Sequence, residues 1–203
     1  SRYWYPCFDF PNQKSTSEVI ATVPEAFFAL SNGRLAQTTH DARAKTRTYH
    51  WRQDKPHANY LITLVAGEYA EVRGQADGVP LYYYVPRGRE EAVERVFGRT
   101  PDMVRFFASK IGVPYPWDKY AQVVVADFIF GGMENTSATT LTDLALFDQR
   151  AALDYNADPL IAHELAHQWW GDLLTFHDWS HAWLNEGFAP YIDALYKEHH
   201  LGR

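Results

Sequence analysis

The chain has 203 residues, 46% of them hydrophobic, and a formal net charge of -6, enough apolar material for a sizeable core and no basic face for a phosphate backbone. Nucleic acid is therefore excluded as an expected partner. Cys7 is the sole cysteine, which excludes an intramolecular disulfide framework and a thiolate-rich metal site, so that any metal must be held by histidines and carboxylates.

No uninterrupted apolar run approaches a membrane span, and the composition predicts a soluble, globular protein. Both ends of the chain read as cut: Arg2 to Pro11 has the character of mid-domain sequence, and the sequence stops at Arg203, one residue after Gly202 and just past a predicted helix.

From Val19 to Pro86 the pattern consists of short apolar or alternating runs: Val19 to Val23, Thr46 to Arg52, Tyr60 to Ala66, Tyr69 to Arg73 and Leu81 to Val85. Turn signals at Ser31-Asn32-Gly33 and Asp77-Gly78 separate them, and the region is predicted to be β-rich. After Pro86 the period becomes helical. Helices are predicted over Glu90 to Phe97 and Met103 to Ile111, with Thr100-Pro101 offering a cap and a first-turn proline. A domain boundary is accordingly expected near Pro86, dividing residues 1-86 from 87-203. Tyr120 to Asp127, with its Val123-Val124-Val125 run, reads as a strand leading into the glycine-marked segment Gly131-Gly132-Met133-Glu134-Asn135. A helix fits Asp158 to Trp170, with Asp158 as cap, Pro159 at the first position and Gly171 past the end. Another is expected from about Trp183 to His199. There Pro190 lacks the N–H that would bond the Glu186 carbonyl, which predicts a bend or a later start.

His163-Glu164-Leu165-Ala166-His167 is an H-E-x-x-H sequence on a segment that its caps and periodicity already mark as helical. Two histidines four apart lie on one face, so both rings can reach a single zinc ion. Glu164, next to the first of them, can reach water at the ion without being an ordinary ligand. A His₂Glu site needs one further carboxylate and an open position. Glu186 supplies it: the run Trp183-Leu184-Asn185-Glu186-Gly187-Phe188-Ala189 is an apolar setting in which an unpaired carboxylate would be costly. His177 and His181 form a rival pair but lack a helical apolar period and an adjacent glutamate, so they read as loop or core histidines. His199 and His200 suit a helix C-terminus and imply no ligand role. For the outer support that zinc-bound histidines use, Asp193, two turns beyond Glu186, is the candidate, with Asp172 and Asp178 as alternatives. Trp169, Trp170 and Trp183 read as core packing.

Positions 168 to 185, a gap of eighteen, separate His167 from Glu186. This arrangement, the run Trp183 to Ala189, the G-x-M-E-N pattern at Gly131 to Asn135 and the stretch Tyr5 to Asn12 together resemble the M1 family of zinc aminopeptidases over most of the chain. The resemblance implies an α+β fold: the end of an N-terminal antiparallel β domain (1-86), then part of a thermolysin-like α/β zinc-peptidase domain of the gluzincin type (87-203). It implies one Zn²⁺ per chain on His163, His167 and Glu186, with Glu164 as general base toward metal-activated water. It further implies that Gly131, Gly132, Met133, Glu134 and Asn135 bind peptide substrates with a free N-terminus, Glu134 capturing the α-amino group. The family's oxyanion-stabilising tyrosine falls beyond Arg203, and Tyr191 and Tyr196 read as packed, so the 203-residue piece by itself is expected to have little activity. A thermolysin-like endopeptidase is the alternative that Glu134 argues against. A noncatalytic scaffold is a second, whose known members have lost zinc residues. These motifs do not define the side-chain preference at the first substrate position, nor separate peptidases from relatives that also open a lipid epoxide.

Overall fold

The structure, a computed structural model, describes residues 1–202. In chain order the strands and helices are β1 (Lys14–Pro24), β2 (Phe28–Ser31), β3 (Arg34–Asp41), β4 (Thr46–Ala58), β5 (Leu64–Gly67), β6 (Tyr69–Ala76), β7 (Val79–Pro86), α1 (Val93–Phe97), α2 (Thr100–Ile111), β8 (Tyr120–Val125), β9 (Gly132–Met133), β10 (Ala138–Thr142), α3 (Asp158–Ala166) and α4 (Trp183–Leu201). The fold is mixed α+β. Among the described residues no helix is long and apolar enough to cross a membrane.

Three sheets organise the chain: β1-β4-β3 and β2-β5, both antiparallel, and the five-stranded β6-β7-β8-β10-β9. The last is mixed, with parallel β7-β8 and β8-β10 pairs flanked by antiparallel β6 and β9. Its central strands are covered on both faces. Leu81, Tyr83, Tyr120, Val124 and Leu141 pack among Phe97, Phe107, Ile161, Leu165 and Trp169 of the helical layer, whereas Tyr84, Ala121, Val123 and Ala138 pack against Ala21, Ala29, Leu30, Tyr49 and Trp51 from the β-rich half. Burial on both sides explains why β8 reads as an apolar run rather than an alternation.

The turn chemistry is local. Asp77 (φ 46°) and Gly78 (φ 83°) form the two-residue connection of the β6-β7 hairpin, the left-handed pair that Asp-Gly favours. At Gly33 (φ 73°) a side chain would run into the backbone of Arg52.

Several expectations are displaced. Tyr60 to Ala66 is not one strand: Asn59–Leu61 forms a 3₁₀ turn, and β5 begins at Leu64. Pro86 ends β7, and β7 is hydrogen-bonded to β8 in register from Leu81↔Tyr120 to Tyr84↔Val123, so the five-stranded sheet is continuous across the boundary expected there. α3 closes at Ala166 rather than Trp170, because residues 167–170 tighten into turns in which the Gln168 N–H bonds the Leu165 carbonyl and the Trp169 N–H the Ala166 carbonyl. Asp158 makes no capping bond; its carboxylate pairs with Arg99. α4 runs unbroken through Pro190. Glu186 and Pro190 lie on its exposed side, where water can take the carbonyl that proline leaves without a partner.

Candidate metal centre

α3 and α4 pack against each other and bring His163, His167 and Glu186 together, the one group of potential metal-ligating side chains found among the described residues. The two imidazoles stand at 85° with their Nε2 atoms 3.0 Å apart. Glu186 Oε2 lies 3.6 Å from each of them. Donor atoms about a tetrahedral zinc at roughly 2.0–2.1 Å stand about 3.3–3.4 Å from one another, so the spacing and the N, N, O donor set suit that ion. His167 Nδ1 donates to the Trp170 carbonyl at 2.8 Å, which leaves the Nε2 lone pair directed at the centre.

Burial varies across the three. His167 is buried and His163 partly so, but the Glu186 side chain is 58% exposed. The apolar cost inferred for Glu186 from its sequence neighbours therefore does not apply, because Trp183 and Gly187 also face outward on α4; convergence on the two rings singles this carboxylate out. The nearby His167 ring, and His163 beside it, hold Glu186 below the usual carboxylate range. Burial works to lower His167, yet Glu186, Glu134 and Glu164 outweigh it and hold the ring up at about 9. Burial pulls His163 down.

Glu164 is only 4% exposed, and its Oε2 has no hydrogen-bond partner. Burial pushes its carboxyl up to about 8; a cation held at the neighbouring donors acts in the opposite direction. On the other side of this carboxylate lies Gly132, where a Cβ would overlap the Glu164 carboxyl group. Glycine at that position is thus a matter of space.

Gly132 and Met133 form β9, the edge strand of the five-stranded sheet, paired only with β10. The segment continues through Glu134 and Asn135, both buried. Burial raises the Glu134 carboxyl. Asn135 donates to the Leu61 carbonyl at 3.4 Å and accepts from Thr140 at 2.9 Å. Ser137 then adopts a left-handed conformation (φ 62°) that is costly for a non-glycine residue. It is held by Lys119, whose ammonium donates to the Ser137 carbonyl at 3.0 Å and its Oγ at 3.2 Å, and by the Gly33 N–H on the same Oγ at 2.8 Å.

Other sequence candidates lie apart from the centre. His177, exposed, contacts Asn12 at 3.2 Å, and His181 sits in a 3₁₀ turn; neither joins the group. Asp193 accepts from Lys197 at 2.8 Å while its Oδ1 is unpartnered; it makes no hydrogen bond to a histidine, although its charge acts on His163. Asp172 is fully buried with neither carboxylate oxygen bonded, and Asp178 caps the 3₁₀ turn through Ser180. Trp169 is buried in the core, Trp170 stacks on Phe188, and Trp183 is exposed rather than packed. Tyr196 is packed, donating to Asp102 at 3.1 Å, whereas Tyr191 is exposed.

Two contacts escaped the sequence reading. The support for His167 is a backbone carbonyl, which carries no residue signature. Tyr60, whose hydroxyl accepts from Asn185 at 3.2 Å, reaches the charge field of Glu134 and Glu186 from a segment that reads as an ordinary strand.

Residues 96–202 match the family model described as the peptidase family M1 domain, and residues 1–61 the one described as the peptidase M1 N-terminal domain. An aminopeptidase N of Acetobacter pasteurianus is 34% identical over 197 residues, 95% of this chain and 55% of that protein. The aminopeptidase M1 of Arabidopsis thaliana is 32% identical over 201 residues, covering 96% of this chain and 22% of the relative. For the glutamyl aminopeptidase of Homo sapiens the figures are 30% over 204 residues, 98% and 21%. The chain thus spans about half the length of the first of these and less than a quarter of the other two. With the M1 domain model covering more than half of its residues, and the N-terminal model most of the remainder, the chain belongs to peptidase family M1.

Proposed function

We propose that this chain carries the metal centre and the amine-recognition segment of a zinc-dependent aminopeptidase, which removes N-terminal residues from peptides. The observation that carries the reading is the convergence of His163, His167 and Glu186 beside the buried, unpartnered carboxylate oxygen of Glu164. When bound by these three side chains, a zinc ion supplies Lewis-acid polarisation of the scissile carbonyl and lowers the pKa of water at its open position.

The protein's own residues do the rest. Glu164 accepts the proton of the attacking water and returns it to the departing amine. The Trp170 carbonyl holds the His167 tautomer. β9 offers an unpaired outer edge along which a peptide backbone can align as a further strand. The Glu134 carboxylate, at the end of that edge, receives the substrate's α-ammonium, with Gly131, Gly132, Met133 and Asn135 shaping the approach. An acetylated or internal peptide offers no cation there, which favours the aminopeptidase over an endopeptidase.

For the organisation of the chain, we place the division between the β-rich half and the catalytic unit near Gly67-Glu68, since β6 and β7 belong to the sheet that holds β9. The test of the centre is metal analysis of purified variants. His163→Ala and His167→Ala are expected to lose the single zinc and Glu186→Ala to hold it more weakly, with His177→Ala as an unaffected control. Full zinc in the first three variants would remove the assignment.

A further inference from the structure

Gln168 follows His167 directly, is fully buried and is left unused by the chemistry above. Its side chain crosses to the opposite wall of the site. Oε1 accepts from the Ser137 N–H at 2.8 Å and from the Tyr115 hydroxyl at 3.1 Å, and Nε2 donates to the Glu134 carbonyl at 3.2 Å. Its own carbonyl accepts from the Trp117 indole at 3.0 Å. The amide orientation is fixed chemically, because the reverse would set an NH₂ group against the Ser137 N–H. One side chain therefore grips both ends of the stretch from Glu134 to Ser137, including the residue held at φ 62°, and ties them to the residue that follows a metal-ligand candidate. A strained conformation of this kind persists only where its surroundings over-determine it.

We propose that Gln168 is a positioning residue that sets the separation between Glu134 and the His163, His167 and Glu186 centre. It thereby determines how far the bond to be cut lies from the captured amino group. This rests on the reading of Glu134 as the amine-capturing residue. Gln168 touches neither substrate nor metal. It acts by keeping the Glu134 backbone in place, so that the carboxylate meets the ammonium only when the first peptide carbonyl is at the centre.

The test uses the full-length, zinc-loaded protein. Gln168→Glu keeps an acceptor for Ser137 and Tyr115 but sets an oxygen against the Glu134 carbonyl; Gln168→Met keeps the approximate shape and removes every polar bond. Zinc content, melting temperature, kcat and KM on an aminoacyl anilide, and competition by the matching amino-acid amide and its N-acetylated form are measured for each. The expected result is unchanged zinc, a KM for the free amine raised roughly 10-fold or more, kcat within about threefold, and a smaller preference of binding for the free over the acetylated amide. Unchanged KM and unchanged preference in either folded, zinc-bearing variant would overturn the proposal, and failure of both variants to fold would overturn it in favour of a purely structural role. Glu134→Gln, assayed alongside, separates the two readings. If it keeps the free-amine preference, amine capture fails and the inference with it; if it loses that preference while the Gln168 variants keep it, only the inference fails.

Discussion

α3 and the segment from Gly131 to Ser137 form opposite walls of the centre and are fixed by different means. α3 is an ordinary helix whose 3.6-residue period places His163 and His167 on one face, and their relative position needs nothing beyond the helix. The facing segment contains two residues of strand and a left-handed serine. It is held by Lys119, Gln168 and Asn32, residues 18 to 104 positions away in sequence. A periodic element can present chemistry by itself. An irregular one presents it only with long-range support, so a small change there should disturb function while leaving the metal in place.

The largest effect is expected on the helix side. Glu164→Gln keeps the shape of the side chain but removes the proposed proton acceptor, and in the zinc-loaded full-length protein kcat should fall by about 10² to 10⁴; metal analysis should find the zinc intact. A near-normal rate would remove Glu164 as the base. On the other wall a single methyl group should act almost as strongly. Gly132→Ala places a Cβ into the Glu164 carboxyl group, and a loss of roughly 10²-fold in kcat with zinc retained is expected as that carboxylate is displaced.

Gly131→Ala sharpens the contrast. There a Cβ would meet only the Leu160 Cδ1 atom at 3.3 Å, a side-chain end that can shift, so kcat should stay within about threefold. Equal losses in both alanine variants would show that backbone freedom, rather than space beside Glu164, explains the glycines. The smallest effect concerns stability. Burial pulls the Lys119 ammonium from its ordinary 10.5 down to about 7, although three oxygen contacts and the Trp51 ring face it. Between those two values the unfolded chain carries a proton that the folded protein lacks, so stability rises with pH across that window and is lowest below it. Chemical unfolding at both ends of the window, for the native protein and Lys119→Met, should show a slope in the former that is absent from the latter; parallel profiles would mean that the ammonium stays charged against its three oxygens.

Much of this arrangement was legible along the chain. The H-E-x-x-H helix, the spacing to Glu186, the G-x-M-E-N segment, the Asp77-Gly78 hairpin and the change from strand to helix period after Pro86 are all local patterns. The misreadings share a cause. Asp158 looked like a cap because caps are judged from neighbours in sequence, yet its carboxylate is taken by Arg99. Trp183 looked like core because it is large and apolar, yet its side of α4 faces outward. Tyr60 to Ala66 looked like one strand because its residues are apolar and β-prone, yet Asn59–Leu61 forms a 3₁₀ turn and β5 begins only at Leu64.

By itself, then, the sequence pointed to the candidate residues: two histidines one helical turn apart, the glutamate beside the first of them, and the glycine-marked segment that accompanies them, because helix period and residue type are properties of neighbours. Only the tertiary structure decided the geometry. It turned Glu186 of α4 onto both histidine rings, set Gly132 against Glu164, and clamped Glu134 and Ser137 through Gln168. Distances between residues far apart in the chain follow from how the layers pack, and packing is a property of the whole fold.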